Sequence, residues 1–172
     1  ISFLGYGPQA RNQSLNLRDQ GYNINIGVRK NGYSWFKAIE DGYIENKNLF
    51  TIEEAAYKGT IIKYLLSDKG QIEQWKNVKK NLHEGNTLYF SHGLNITFQK
   101  KTKVIPPKNV DVILIAPKGP GNKIREFFVN KKGFNSSFAI FQDYTKNAKD
   151  KCLALGFEIG SNYLFETTFE KE

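Results

Sequence analysis

The feature that most restricts the fold of this chain is an alternation. Runs rich in β-branched and aromatic residues, "ISFLG", "YNINIGV", "GTIIKYLLS", "NTLYFSHG", "VDVILIAP" and "SSFAIFQD", are separated by longer stretches with helical patterning. Strand and helix in turn predict an α/β domain with a mainly parallel sheet and helices on both faces. "VDVILIAP" is apolar almost throughout, which fits a strand covered on both sides. The patterning predicts helices over Pro8 to Gln20, Ser34 to Asp41, Thr51 to Tyr57, Gly70 to Leu82, Asn122 to Asn130 and Thr145 to Leu155. Gly21 and Gly42 stand just past two of these ends as stop signals. At 172 residues, 40% of them hydrophobic, the chain is sized for one domain with a real core, and no low-complexity linker or internal repeat divides it.

Composition narrows the function classes. The formal charge of +8 comes mostly from lysines scattered beside asparagines, without the basic block or basic-aromatic stripe of a nucleic-acid binder. No apolar run approaches the roughly 18 to 20 residues of a membrane span. The single cysteine, Cys152, has no partner for a disulfide and no second Cys or His at metal-ligand spacing, so it reads as a bystander. The expectation is a cytoplasmic protein bound to neither nucleic acid nor membrane. The chain starts at Ile1, already in strand pattern, and reads as one domain, residues 1–172, trimmed from a longer protein; an organellar transit peptide ahead of it is the alternative location signal.

Between the first strand and the first helix stands Gly5-Tyr6-Gly7-Pro8-Gln9-Ala10, a G-x-G-x-x-A pattern in strand-to-helix context. Gly5 permits the tight turn, Gly7 lets a pyrophosphate approach the backbone, and the small Ala10 lets helix pack close on strand. The free amides at the start of that helix favour phosphate charge. The pattern therefore predicts a Rossmann-type dinucleotide site. An NAD site places Asp or Glu near the end of the second strand, on the ribose 2′-hydroxyl. Here that strand runs into "VRKNGYS", where Arg29 and Lys30 can neutralise a 2′-phosphate and Ser34 can donate a hydrogen bond to it. The expected cofactor is NADPH.

Two further strand ends carry candidate chemistry. "LYFSHGLNI" puts His92, one of two histidines, at the carboxyl end of a buried strand, where ligands collect in open α/β sheets, while the other, His83, lies in a polar turn. "IAPKGPGNKIRE" puts Lys118 at the next strand end, able to hold an anion or polarise an oxygen.

With these stretches in view, the whole chain resembles the N-terminal domain of ketol-acid reductoisomerase, a family that uses NADPH and magnesium in branched-chain amino acid synthesis. The resemblance rests on "LGYGPQARNQSLNLRDQG", "VRKNGYSW", "TIIKYLLSDKGQ", "FSHGLNI", "VDVILIAPKGPG" and "ETTFEKE", in order. It implies that Tyr6, Gly7, Pro8 and Gln9 line the NADPH pyrophosphate and that Arg29 and Ser34 hold its adenosine phosphate. Asp68, Lys69, Gln71 and Gly121 would line the remaining cofactor site. His92 matches the family's active-site histidine, Lys118 its catalytic lysine, and Glu172 the first of its active-site carboxylates. Ala10 replaces a third glycine, Leu94 a phenylalanine, and Lys30 lies in a loop that varies among members. The resemblance also implies an acetohydroxy acid substrate, a homo-oligomeric full-length enzyme, and Mg²⁺ ligands downstream of residue 172, in an Asp-Leu-x-Gly-Glu stretch and a helical C-terminal domain absent from this chain. Rival readings are an NADP-dependent hydroxy-acid dehydrogenase using His92 or Lys118 without metal, and a non-catalytic NADPH-binding module.

Overall fold

The computed structural model describes all of residues 1–172. Strand β1, Ser2–Leu4, leads through the glycine loop into helix α1, Pro8–Asp19, followed by β2, Asn25–Gly27, and α2, Tyr33–Glu40. Next come β3, Leu49–Phe50, α3, Ile52–Lys58, β4, Ile61–Tyr64, and α4, Asp68–Lys79. After β5, Thr87–Phe90, two one-turn helices, α5, Leu94–Thr97, and α6, Gln99–Thr102, lead to β6, Asp111–Pro117. The chain closes with α7, Gly121–Val129, β7, Phe134–Gln142, α8, Ala148–Glu158, β8, Ser161–Glu166, and a 3-10 turn at Phe169–Lys171.

The eight strands form one sheet in the order β3-β2-β1-β4-β5-β6-β7-β8. All neighbouring pairs are parallel except β6 and β7. Chain order reverses between β1 and β4, the switch point at whose carboxyl ends such sheets bind ligands. Side chains alternate across the sheet. Phe3, Tyr89, Ile113 and Ile115 face a core built with α1, α2, α7 and α8. Leu4, Ile62, Leu88 and Leu114 face a second core with α3, α4 and α5. Both faces are thus dry, as the unbroken apolar run of β6 predicts.

Both glycine stop signals do as expected. Gly21 (φ 88°) and Gly42 (φ 89°) adopt left-handed backbone, and each is the C′ residue of a Schellman closure. Gly21 N–H donates to Arg18 O at 2.9 Å and Tyr22 N–H to Leu17 O at 3.1 Å; Gly42 and Tyr43 repeat this on Ile39 and Ala38. Two helices begin two or more residues from where the pattern suggests. α4 starts at Asp68, because the Ser67 hydroxyl caps it from Gly70 N–H at 3.3 Å. α8 starts only at Ala148, because Lys146 is left-handed (φ 63°) and Asp143 Oδ1 takes the Ala148 amide at 3.1 Å. β3, α5, α6, β8 and the 3-10 turn are additional to the predicted elements. No helix is long and apolar enough to cross a membrane. Cys152 is fully buried on the inner face of α8, and burial pushes its thiol up to about 12.

Candidate cofactor and active site

A cleft of about 460 Å³ opens at the carboxyl ends of β1, β2 and β4. Its walls are the glycine loop (Gly5, Tyr6, Gly7), the β2 end (Val28, Arg29, Gly32, Ser34) and the β4–α4 loop (Leu65, Ser67, Lys69, Gly70), with Ile52 adding an apolar contact. The two loop glycines are required for different reasons. Gly5 has φ 103°, and a Cβ there would lie 2.8 Å from Leu65 O, so the turn itself excludes other residues. Gly7 is extended (φ −70°, ψ 178°), and a Cβ there would meet nothing within 4 Å. The fold has no use for a glycine at that point, which leaves open space beside the backbone for a ligand group.

Gly7 is the N-cap of α1, Pro8 follows it, no side chain caps the helix, and its first turn holds no acidic residue. The N-terminal amides and the positive end of the helix dipole are therefore available to an anion. α2 begins in the same way. Gly32 is its N-cap, no side chain caps it, its first turn is free of carboxylates, and Ser34 lies in that turn. The turn between β2 and α2 is closed by Gly32 N–H donating to Arg29 O at 3.1 Å, with Asn31 left-handed (φ 59°). Arg29 is exposed at the cleft and forms no ion pair, whereas Lys30 is drawn away to Glu45 Oε1 at 2.6 Å. The free cation at the β2 end is thus Arg29.

Other predicted residues occupy supporting positions. The Tyr6 side chain turns into the core and donates from its hydroxyl to Asp41 Oδ2 at 2.9 Å, while Arg11 grips both Asp41 oxygens at 2.6 and 2.7 Å. Burial raises the Tyr6 pKa, and Arg11 and Tyr6 hold that of Asp41 below the usual carboxylate range despite its partial burial. Tyr6 thus offers the cleft its backbone. Ala10 is fully buried against the sheet. Gly121 lies against the start of α1, where a Cβ would come 3.0 Å from Pro8 Cβ and 3.2 Å from Gln9 N. Gln71 is buried behind the cleft, its amide donating to Tyr64 O and Leu66 O at 3.1 Å, so it shapes the β4–α4 loop from beneath. Lys69 lines the cleft and is largely exposed.

The chemically active candidates form two separate groups, after the ends of β5 and β6. His92 Nε2 lies 3.3 Å from Asp68 Oδ1 at the start of α4. Lys118 Nζ reaches Glu172 Oε2 at 2.5 Å, and Ser137 Oγ donates to Glu172 Oε1 at 2.7 Å. Those donors hold the Glu172 carboxyl below its usual value, against the partial burial that would raise it. Gly93 makes this closure possible: a Cβ there would fall 1.9 Å from Phe169 O, so only glycine lets the terminal turn pack on the Ser-His-Gly segment. Sequence reasoning misses this role of Gly93, and also the cleft walls Val28, Ile52 and Leu65, apolar residues at strand or helix ends whose use depends on what they face. No group of three or more His, Cys, Asp or Glu is placed to hold a metal.

A strand order reversing between β1 and β4, an uncapped helix start with an open glycine, and a cation at the β2 end together define a Rossmann-type dinucleotide-binding domain. Residues 1–163 match the family of the acetohydroxy acid isomeroreductase NADPH-binding domain. The mitochondrial ketol-acid reductoisomerase of Neurospora crassa is 54% identical over 172 residues, all of this chain and 43% of the relative. The ketol-acid reductoisomerase (NAD(+)) of Desulfosudis oleivorans is 55% identical, with 49% of its length covered. The solved structure of an NADH-preferring ketol-acid reductoisomerase from an uncultured archaeon superposes with a TM-score of 0.91 at 34% identity, covering all of this chain and 52% of that one. The chain belongs to the ketol-acid reductoisomerase family and comprises its N-terminal cofactor-binding domain; it spans about half the length of these relatives.

Proposed function

We propose that the chain binds NADPH, in preference to NADH, for a reaction that rearranges 2-acetolactate or 2-aceto-2-hydroxybutyrate by alkyl migration and reduces the product to a 2,3-dihydroxy acid in valine and isoleucine synthesis. The observation that carries the cofactor reading is the unpaired Arg29 beside the uncapped start of α2, where a ribose-binding site for NADH would place a carboxylate. The cradle fits a dinucleotide, because the open flank of Gly7 and the free α1 amides suit a pyrophosphate and Val28 and Ile52 offer apolar wall to a base. NADPH when bound supplies a hydride.

Each of the chain's own residues has a part in this scheme. Arg29 and Ser34 take the 2′-phosphate, and the Gly7 to Gln9 backbone takes the pyrophosphate. Lys118, its ammonium set by Glu172, stabilises negative charge developing on a substrate oxygen. His92, beside Asp68, holds or moves a proton at the same rim. Magnesium, which the resemblance implies, would take its ligands from outside residues 1–172. Association into a homo-oligomer, and the absence of nucleic-acid or membrane partners, are further parts of the proposal. The location is proposed as the cytoplasm or, given that the Neurospora relative is named mitochondrial, the mitochondrion.

The test is NADPH binding by this chain, followed through quenching of its fluorescence, together with turnover of 2-acetolactate by the polypeptide extended to its relatives' length. The chain is expected to bind NADPH without turnover, and the extended form to turn over only with magnesium. In that form His92→Ala and Lys118→Ala should lower kcat far more than cofactor affinity. Turnover without metal would favour a dehydrogenase acting through His92 or Lys118.

A further inference from the structure

Lys63, in the middle of β4, is fully buried, and no carboxylate pairs with it. Its ammonium lies between two aromatic faces, 3.9 Å from the Tyr89 ring centroid and 5.0 Å from that of Phe3. Its one hydrogen-bond acceptor is Gln13 Oε1 at 2.9 Å, on the buried face of α1. A buried lysine with a single neutral partner is costly, and the core gains nothing from it that an apolar residue would not supply. What it does provide is direction.

A glutamine carboxamide has one accepting and one donating end. Gln13 Oε1 receives Lys63 Nζ at 2.9 Å and the Tyr89 hydroxyl also at 2.9 Å, the shorter of that hydroxyl's two contacts, the other being Ile115 O at 3.3 Å, so its oxygen end faces two donors. Gln13 Nε2 must then point the other way, where it meets Gln9 Oε1 at 3.1 Å and Ser91 Oγ at 3.4 Å. A donor facing Gln9 holds the Gln9 oxygen inward. The Gln9 amide nitrogen, which has no protein acceptor and is not buried, is left turned outward in the first turn of α1, beside the uncapped amides. Burial lowers the Lys63 pKa, but the neutral amine keeps two N–H donors and can donate to Gln13 in either state.

We propose that Gln13, locked by Lys63 and Tyr89, is a positioning residue that holds the Gln9 carboxamide with its amide nitrogen outward at the start of α1, as a hydrogen-bond donor to an anionic group of the bound dinucleotide. The proposal rests on the dinucleotide reading above. Released from Gln13, Gln9 would present its oxygen as readily as its nitrogen, and an oxygen facing a phosphate repels it.

The test is a double-mutant cycle on NADPH affinity, read by fluorescence titration of the chain. Gln13→Glu keeps the size of the side chain and an acceptor for Lys63 and Tyr89, but both of its ends accept, so Gln9 must turn its amide inward. NADPH affinity should fall about tenfold, the worth of a charge-assisted hydrogen bond. In a Gln9→Ala background the same substitution should change affinity by less than about twofold. Lys63→Met, an apolar side chain of similar length, releases one of the two locking donors and should cost roughly threefold, again only when Gln9 is present. It carries the test should Gln13→Glu fail to fold. A purely structural role would lower affinity equally in both backgrounds, and that result overturns the proposal. So does a folded Gln13→Glu variant with wild-type affinity. A wild-type chain that binds no NADPH removes the dinucleotide reading itself, an outcome distinct from both.

Discussion

The two halves of the site are built differently. The cofactor half is mostly local: Gly5, Gly7 and the α1 start come from one stretch, Arg29 and Ser34 from another, and each takes its backbone conformation from a turn within its own segment. The rim that carries His92 and Lys118 is assembled at a distance. His92 meets Asp68 across 24 positions of sequence, and Lys118 meets Glu172 across 54. Its closure depends on Phe169 packing over Gly93. The local half can keep its shape through changes elsewhere in the chain, whereas the distant half depends on the terminal turn staying docked.

The largest expected effect breaks the distant half. Gly93→Ala places a methyl group 1.9 Å from Phe169 O and must displace the terminal turn. It should destabilise the chain by about 3 kcal/mol, the upper end for overpacking, seen as a lower denaturant midpoint. NADPH affinity of the remaining folded protein should change little, because Gly93 does not line the cleft.

Gly7→Val inverts that pattern. Its Cβ meets no protein atom within 4 Å and its backbone is extended, so the unfolding free energy from urea melts should hold within about 0.5 kcal/mol. Dinucleotide binding should weaken on the order of a hundredfold, because the side chain occupies the pyrophosphate's approach. Loss of fold in Gly7→Val would erase the contrast between the halves.

The smallest effect sharpens the comparison through pH. The Glu172 carboxyl titrates below its ordinary 4.5 when folded, because Lys118 and Ser137 hold the ionised form. Its contribution is therefore present above about pH 4.5 and is lost as pH falls through the lowered folded value. Lys118 is 40% exposed, so the pair is screened, and Glu172→Gln should cost only ~1 kcal/mol at neutral pH. Urea melts of the two forms should differ near neutrality and converge in acid. A constant difference would show that Glu172 acts by packing alone.

Legibility in the sequence divides along the same line. Gly5, Gly7 and the Gly21 and Gly42 closures are legible because a tight turn, a helix stop and a helix start each leave their residue types within a few positions. The end of β2 is legible in the same way, through the basic residues directly after Val28. Lys30 resembles Arg29 in sequence, and only the placement of Glu45 sends it elsewhere. β3 has two residues, too few for a period, and its existence depends on pairing with β2. β8 places Tyr163 and Phe165 on an exposed face, so its alternation does not mark a core strand. Gln71 matches a cofactor-site position by motif, yet its amide is spent on loop carbonyls, which only the fold reveals. The Lys63–Gln13–Gln9 chain joins β4 to α1 and has no sequence signature.

The 2′-phosphate role proposed for Arg29 sets this chain apart from the Desulfosudis relative, which is named for NAD(+), and the archaeal one, which prefers NADH. The most direct measurement is the ratio of the dissociation constants for NADH and NADPH, in the chain and in Arg29→Asp. The wild-type ratio should be well above one and fall by about tenfold or more in the variant, through loss of NADPH affinity while NADH affinity stays nearly constant. An equal loss for both cofactors, or a wild-type preference for NADH, would contradict it.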